Sequence, residues 1–332
     1  MSSQASPDTK ARALYRCAPV AAAALSTLDS LPSPLPRPCH PPPSLHVPLS
    51  IALPGRGALE EIAALDTGLH CHVRGLSRNT TRASLALGRS HPNLTLLPAL
   101  APPDAPGTQR ALASDARLSL ADARALAALT AAVQGASALF LVTFSDFERL
   151  GAEALLGGLM ARAALDAGVR HIALSGGMRT GQPALDAKAD LEDALRALPF
   201  AAAHYLHSGF FFENFVLKGG APRLTCAAAE GESATHVTFQ SPFPADWPIV
   251  MHAASDIGRV AMRRLWAGAA PGQGSDVVRL AGSRVTGAAF AEAVSVAARR
   301  QLQLDLRAEY AAIPVDKLRR ALPGQTGRAL CG

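Results

Sequence analysis

The strongest constraint on this chain is a strand–helix–strand alternation that repeats from about residue 50 to 210. Ala138-Leu-Phe-Leu-Val-Thr143 is a continuous apolar run, as a parallel strand covered on both faces requires. A helical period over about 118–133 precedes it, and another over about 147–167, stopped by Gly168, follows. His171–Ser175 then reads as a strand, 186–198 as a helix and 202–206 as a strand. Upstream, strands are expected at Ile51–Leu53, His70–Ser77 and Leu94–Leu97, with short helices between them. Strands joined through helices cross over right-handedly, so the expected fold is α/β with a doubly wound parallel sheet.

The rest of the chain frames this unit. Leu31–Pro43 is more than half proline, and proline lacks the backbone donor that helices and sheet ladders need. Residues 1–48 are therefore expected to be a disordered Ala/Pro-rich tail, 49–215 the α/β domain, and 216–325 a smaller mixed region on the substrate side. The tail carries Lys10, Arg12 and Arg16 against only Asp8 and Asp29. That balance suits an organelle-targeting peptide as well as a dispensable extension of a cytoplasmic protein. No apolar run reaches the roughly 18 residues that span a bilayer, so a membrane role is not expected.

Charge and cysteine usage exclude further classes. The net charge of +6 could signal nucleic acid, but its densest clusters, Arg299-Arg300 and Lys317 with Arg319-Arg320, are short and helical in pattern. Solvated helix faces explain them, and nucleic acid is not an expected partner. The five cysteines share no metal-ligand spacing and no CxxC, so no metal site and no disulfide framework are expected.

Six segments, in order, carry a resemblance. They are Val73–Asn79, Gly135–Thr143, Ala167–Gly176, Asp186–Glu192, Gly209–Phe215 and Ser255–Gly258. Together they are similar to the NmrA-like family, atypical relatives of the short-chain dehydrogenases with a Rossmann-type, NAD(P)-binding domain. The resemblance spans about 50–325. It implies a glycine loop after the first strand, where backbone amides meet a pyrophosphate at a helix N-terminus. Here that loop is Gly55-Arg56-Gly57, one residue short, with Glu60 where the third glycine is expected. Glu60 or Glu61 beside phosphates disfavours binding, and Arg56 offsets part of that charge.

Arg78 ends the second strand, where an acid would accept a ribose hydroxyl and an arginine pairs with a 2′-phosphate. It favours NADP (NADPH) over NAD, with Arg74, Asn79 and Arg82 as helpers. Thr143 and Phe144, after the fourth strand, and Ser175, ending the fifth, line the implied cofactor groove. The family's catalytic pair is Tyr or His followed four residues later by Lys. Lys188 is present, but its partner position is Ala184, which moves no proton. Lys188 is left either to bond the nicotinamide ribose or to lie on a helix surface. His207, after the sixth strand, is the other candidate acid.

Three functions follow from the resemblance. One is an NADP(H)-binding regulator, responsive to its cofactor, with little or no catalysis and a protein partner. Another is an NADPH-dependent oxidoreductase of quinone-like or carbonyl compounds. The third is an interaction scaffold that has lost the cofactor. The oligomeric state does not follow from the sequence.

Overall fold

The computed structural model describes residues 46–50, 58–62, 72–77, 94–98, 120–143, 151–181, 183–215, 223–228, 235–267, 275–303, 305–314 and 316–317. The chain divides into two compact units. The larger takes in Leu35–Ser208 with Ser255–Leu280, and the smaller is built on Gly209–Ala254 with Ala281–Gly332.

The larger unit opens with β1 (His46–Ser50), a helical stretch over 58–62, β2 (His72–Ser77) and β3 (Leu94–Pro98). α1 (Leu120–Val133), β4 (Ala138–Val142), α2 (Ala152–Asp166) and β5 (His171–Gly176) follow. α3 (Pro183–Arg196) and β6 (Ala202–His207) complete the run of alternating elements. The seven described strands of the sheet lie in the order β3-β2-β1-β4-β5-β6-β11, where β11 is Asp276–Arg279, and every pair is parallel. Strand order reverses between β1 and β4, and open α/β sheets bind ligands outside the carboxyl ends of strands at such a point.

Local chemistry explains why the elements sit here. β4 reads Ala-Leu-Phe-Leu-Val and is buried over its first four residues. α2 starts after Gly151, at φ 87°, and ends at Gly168, also at φ 87°. Glycine adopts that left-handed conformation without Cβ strain. The Val169 amide reaches the Ala164 carbonyl and the Gly168 amide the Leu165 carbonyl, both at 2.9 Å, the paired bonds that close a helix at a C-terminal glycine. α2 and α3 pack closely at Gly157, where an added Cβ would fall 2.4 Å from the Leu191 Cδ2 atom. Leu139, Leu141, Ile172, Leu174, Leu191, Leu195 and Tyr205 form the core between the sheet and these helices.

Two boundaries differ from the sequence reading. The first described strand is His46–Ser50, ahead of the expected Ile51–Leu53, which lies outside the described residues. It therefore starts before the expected tail boundary at 48. Beyond Phe215 the chain was expected to form the smaller region throughout. Instead α4 (Ala254–Ala267) and β11 (Asp276–Arg279) return to the larger unit. β11 adds a seventh parallel strand beside β6, pairing Asp276 with His204 and Arg279 with His207.

The smaller unit holds two three-stranded sheets. β7 (Phe210–Phe211) and β12 (Ser283–Val285) flank β10 (Ile249–His252). β8 (Arg223–Ala228) and β13 (Leu306–Ala312) flank β9 (Thr235–Ser241). α5 (Gly287–Leu302) is capped by Thr286, whose side chain accepts the Ala289 amide at 3.1 Å. Its Arg299 and Arg300 are exposed in the last turn, as a solvated face predicts. Phe212 sits in this unit's core, 6.2 Å from a stacked Phe290, and Phe210 and Phe211 pack on Phe243 and His252. Of the three phenylalanines Phe212 is core, and Phe210 and Phe211 are half-buried beside it. Glu213 accepts the Ala254 amide with both oxygens at 3.0 Å, which ties the segment after β7 to the start of α4.

Candidate functional site

The carboxyl ends of the strands gather the residues of interest, and the register sets three in one row. Val142 pairs with Ser175, Ser175 with Leu206, and Gly176 with His207. Thr143, Gly176 and His207 therefore stand side by side at the ends of β4, β5 and β6. Ser175 is buried one step behind them.

α3 directs a polar stripe at this row. Lys188, Glu192 and Arg196 recur every four residues and so share one face of the helix. Lys188 Nζ donates to the Thr143 carbonyl at 3.1 Å, to Thr143 Oγ1 at 3.3 Å and to Glu153 Oε1 at 2.5 Å. Thr143 Oγ1 in turn donates to Glu153 Oε1 at 2.6 Å. An ammonium group has three N–H bonds, and each has an acceptor here. Glu153 lies in the first turn of α2, where the helix dipole favours a carboxylate. Its side chain is 2% exposed, and its Oε2 has no partner among the described residues.

One turn along α3, Glu192 Oε2 lies 2.6 Å from His207 Nε2. Its other oxygen accepts two bonds from Arg196, at 3.1 and 2.6 Å. The Arg196 guanidinium also lies 4.2 Å from the centre of the Tyr205 ring, and burial pushes that phenol's pKa up. An Nε2–H donated to Glu192 leaves Nδ1 of His207 as the second ring nitrogen. That nitrogen is buried and without a partner among the described residues. Gly176 backs this couple: an added Cβ would lie 3.4 Å from Glu192 Oε2 and 3.7 Å from His207 Cδ2.

The loop from β5 to α3 is held by Asp186. Its carboxylate accepts the Thr180 amide at 2.6 Å, the Thr180 hydroxyl at 2.9 Å and the Gly181 amide at 3.0 Å. The Thr180 amide above all holds this carboxyl below its ordinary value, against an opposing effect of burial.

The other expected site residues divide as follows. Gly55, Arg56, Gly57, Arg78 and Phe144 lie outside the described residues, as do Asn79 and Arg82. Arg74 is described and is engaged elsewhere: its guanidinium donates to the Ala132 and Gln134 carbonyls at the end of α1, at 3.2 and 2.6 Å. That bond satisfies orphan carbonyls of the helix and takes Arg74 out of the set of phosphate helpers.

Glu60 and Glu61 need a correction as well. Arg259 of α4 reaches Glu60 at 2.7 Å and Arg263 reaches Glu61 at 2.6 Å. Both carboxylates are charge-paired, and Glu61 is buried at 6% exposure. They are not uncompensated charges beside the glycine loop. Sequence reasoning missed Glu153, Glu192 and Arg196. The four-residue spacing of Lys188, Glu192 and Arg196 was the available signal for two of them.

Among the described residues no group of His, Cys, Asp and Glu could hold a metal ion, and no helix is long and apolar enough to cross a membrane. A parallel sheet of this strand order, with polar groups at the carboxyl ends beside its switch point, defines a Rossmann-type protein. The chain belongs to the NmrA-like family, whose model matches residues 61–331. The match begins past Gly55-Arg56-Gly57, so the glycine loop is not part of it.

Solved structures agree on the fold. NmrA, a negative transcriptional regulator in complex with NAD, is 19% identical with a TM-score of 0.54, over 82% of this chain and 75% of that one. An NADPH-dependent quinone oxidoreductase from Escherichia coli, complexed with NADPH, is 19% identical with a TM-score of 0.55, over 86% of both chains. A triphenylmethane reductase of Citrobacter sp., complexed with NADP(H), is 14% identical with a TM-score of 0.56, over 84% and 82%. A comparison with curated proteins finds no significant match.

Proposed function

We propose that this protein binds NADP(H) and acts as a cofactor-responsive regulator with little or no turnover of its own. The observation that carries the reading is the state of Lys188. Its three donors are engaged by Thr143 and Glu153, and Ala184, four residues earlier, can move no proton. A lysine so engaged is poorly placed to tune an acid or to assist proton transfer.

Cofactor binding is supported by the fold's switch point and by the row of Thr143, Gly176 and His207. Gly55, Arg56 and Gly57 would meet the pyrophosphate, Thr143, Phe144 and Ser175 would line the groove, and Arg78 would select NADP through its 2′-phosphate. Lys188 would reach a ribose only by leaving an internal partner. Structural neighbours in complex with NAD, NADP and NADPH fit this reading. Regulation requires two conformations with different cofactor affinity, read by a protein partner.

A thermal-shift titration tests the binding claim. NADPH and NADP are expected to raise the melting temperature saturably, with about 2.7 kcal/mol of added stability at a hundredfold excess over Kd. NADH should do much less. No shift at millimolar NADPH sinks the cofactor reading and leaves the interaction scaffold.

One observation favours a second reading, an NADPH-dependent reductase. Glu192 orients His207, and His207 Nδ1 is unpartnered among the described residues. A cofactor of this kind supplies hydride. The chain's own part would be a proton from Nδ1–H of a doubly protonated His207 ring, and its substrate a quinone or other carbonyl compound.

A further inference from the structure

We infer that Glu153 is a positioning residue that withdraws Lys188 from ligand contact, so that the vicinal diol of a nucleotide ribose competes with an internal carboxylate for this lysine. The inference rests on the proposed cofactor reading for its ligand, though not for its geometry.

The accounting is local. Lys188 spends all three donors on Thr143 and Glu153. A neutral hydroxyl is a weaker acceptor for an ammonium than a carboxylate, because only the carboxylate adds the attraction of an opposite full charge. Lys188 is 22% exposed, against 2% for Glu153, so the lysine has a path to solvent and its partner has none. Glu153 Oε1 also receives Thr143 Oγ1–H. The cluster thus joins the end of β4, the first turn of α2 and the middle of α3. Gly177 leaves the lysine stem in place, since even an added Cβ there would only touch Lys188 Cβ and Cδ at 3.6 Å. Glu153 is the charged partner among these acceptors, so a ribose that draws the lysine toward solvent works against that ion pair.

The chain has four lysines, at 10, 188, 218 and 317, which makes an amine-reactive reagent a clean probe. The exposed Lys317 serves as internal reference, with peptide mass spectrometry reading each site. In the unaltered protein Lys188 should label at least about tenfold more slowly than Lys317, the factor expected for one charge-assisted bond. Equal rates would overturn the inference without any variant. In Glu153→Gln, which keeps the shape and removes the charge, Lys188 labelling should rise about tenfold relative to Lys317. In Glu153→Asp, which draws the carboxylate back by one methylene, it should rise as well.

An unchanged Lys188 rate in a folded Glu153→Gln also overturns the inference. If that variant unfolds, the comparison of Lys188 with Lys317 in the native protein decides. NADPH affinity separates this inference from the functional reading. A tighter complex in Glu153→Gln supports both, and equal or weaker NADPH binding with faster labelling overturns the claim of competition with ribose. If the unaltered protein and Glu153→Gln both fail to bind NADPH, the cofactor reading falls, and the labelling result judges the internal Lys188–Glu153 pairing alone.

Discussion

Replacing Lys188 by methionine is expected to lower stability by about 3 kcal/mol, the low end of what removing one partner of a buried ion pair costs. Methionine keeps most of the stem's packing, so the loss reports the charge. It would leave Glu153 buried, with Thr143 Oγ1–H as the partner of Oε1 and, among the described residues, none for Oε2. The low end applies because Lys188 itself is partly solvated, at 22% exposure. Adding Glu153→Gln should restore much of the loss, since a neutral amide is far cheaper to bury than an unpaired carboxylate. Urea unfolding of the two single variants and the double variant measures this directly. A Lys188→Met loss below about 1 kcal/mol would place the lysine among ordinary surface pairs.

A loss of about 4 kcal/mol is expected from Phe290→Ala in the smaller unit. Phe290 is fully buried, stacked on Phe212 and edge-on to Phe239 at 5.0 Å between ring centres. Removing the ring forfeits its burial and both aromatic contacts, and leaves a cavity that Val294 and Ala291 are too small to fill. Denaturant unfolding reads the loss, and a change under about 1.5 kcal/mol would mean that this core collapses around the gap.

Most of the larger unit was legible because its signals are local. The runs at Ala138–Val142 and His171–Gly176, the stop at Gly168 and the periods of α1 and α3 need no distant partner to be read. The strand at His46–Ser50 was not expected, for a physical reason. Pro48 pairs with Arg74 within a central strand, although proline withholds a ladder donor and usually argues against such a strand. β11 was not placed beside β6, because that partner lies some seventy residues earlier and no local pattern encodes the pairing.

The site shows the same division. Thr143, Ser175, Lys188 and His207 were named from the family resemblance and from their places at strand and helix positions. Their partners were not. Glu153 precedes Lys188 by 35 residues, and the arginines that neutralise Glu60 and Glu61 stand 199 and 202 residues away. Local sequence read Glu60 and Glu61 as hazards to an anion and left Lys188 open between a ribose contact and a surface lysine. The structure shows the first pair compensated and the second residue internally bound. Ion pairs of this kind are properties of the folded chain, since each partner alone reads as an ordinary surface charge.

The same groups bear on function in opposite directions. Lys188 engaged by Glu153, with Ala184 ahead of it, argues for binding without turnover. His207, held by Glu192 through Nε2, would serve as a proton donor only with its ring doubly protonated and its buried Nδ1 brought to the substrate. The decisive measurement follows the reduced-nicotinamide absorbance after a quinone is added to protein saturated with NADPH. No quinone-dependent loss of NADPH beyond the protein-free rate is the result expected of a cofactor-responsive regulator. A saturable, quinone-dependent loss that His207→Ala abolishes would contradict it and make the protein a reductase.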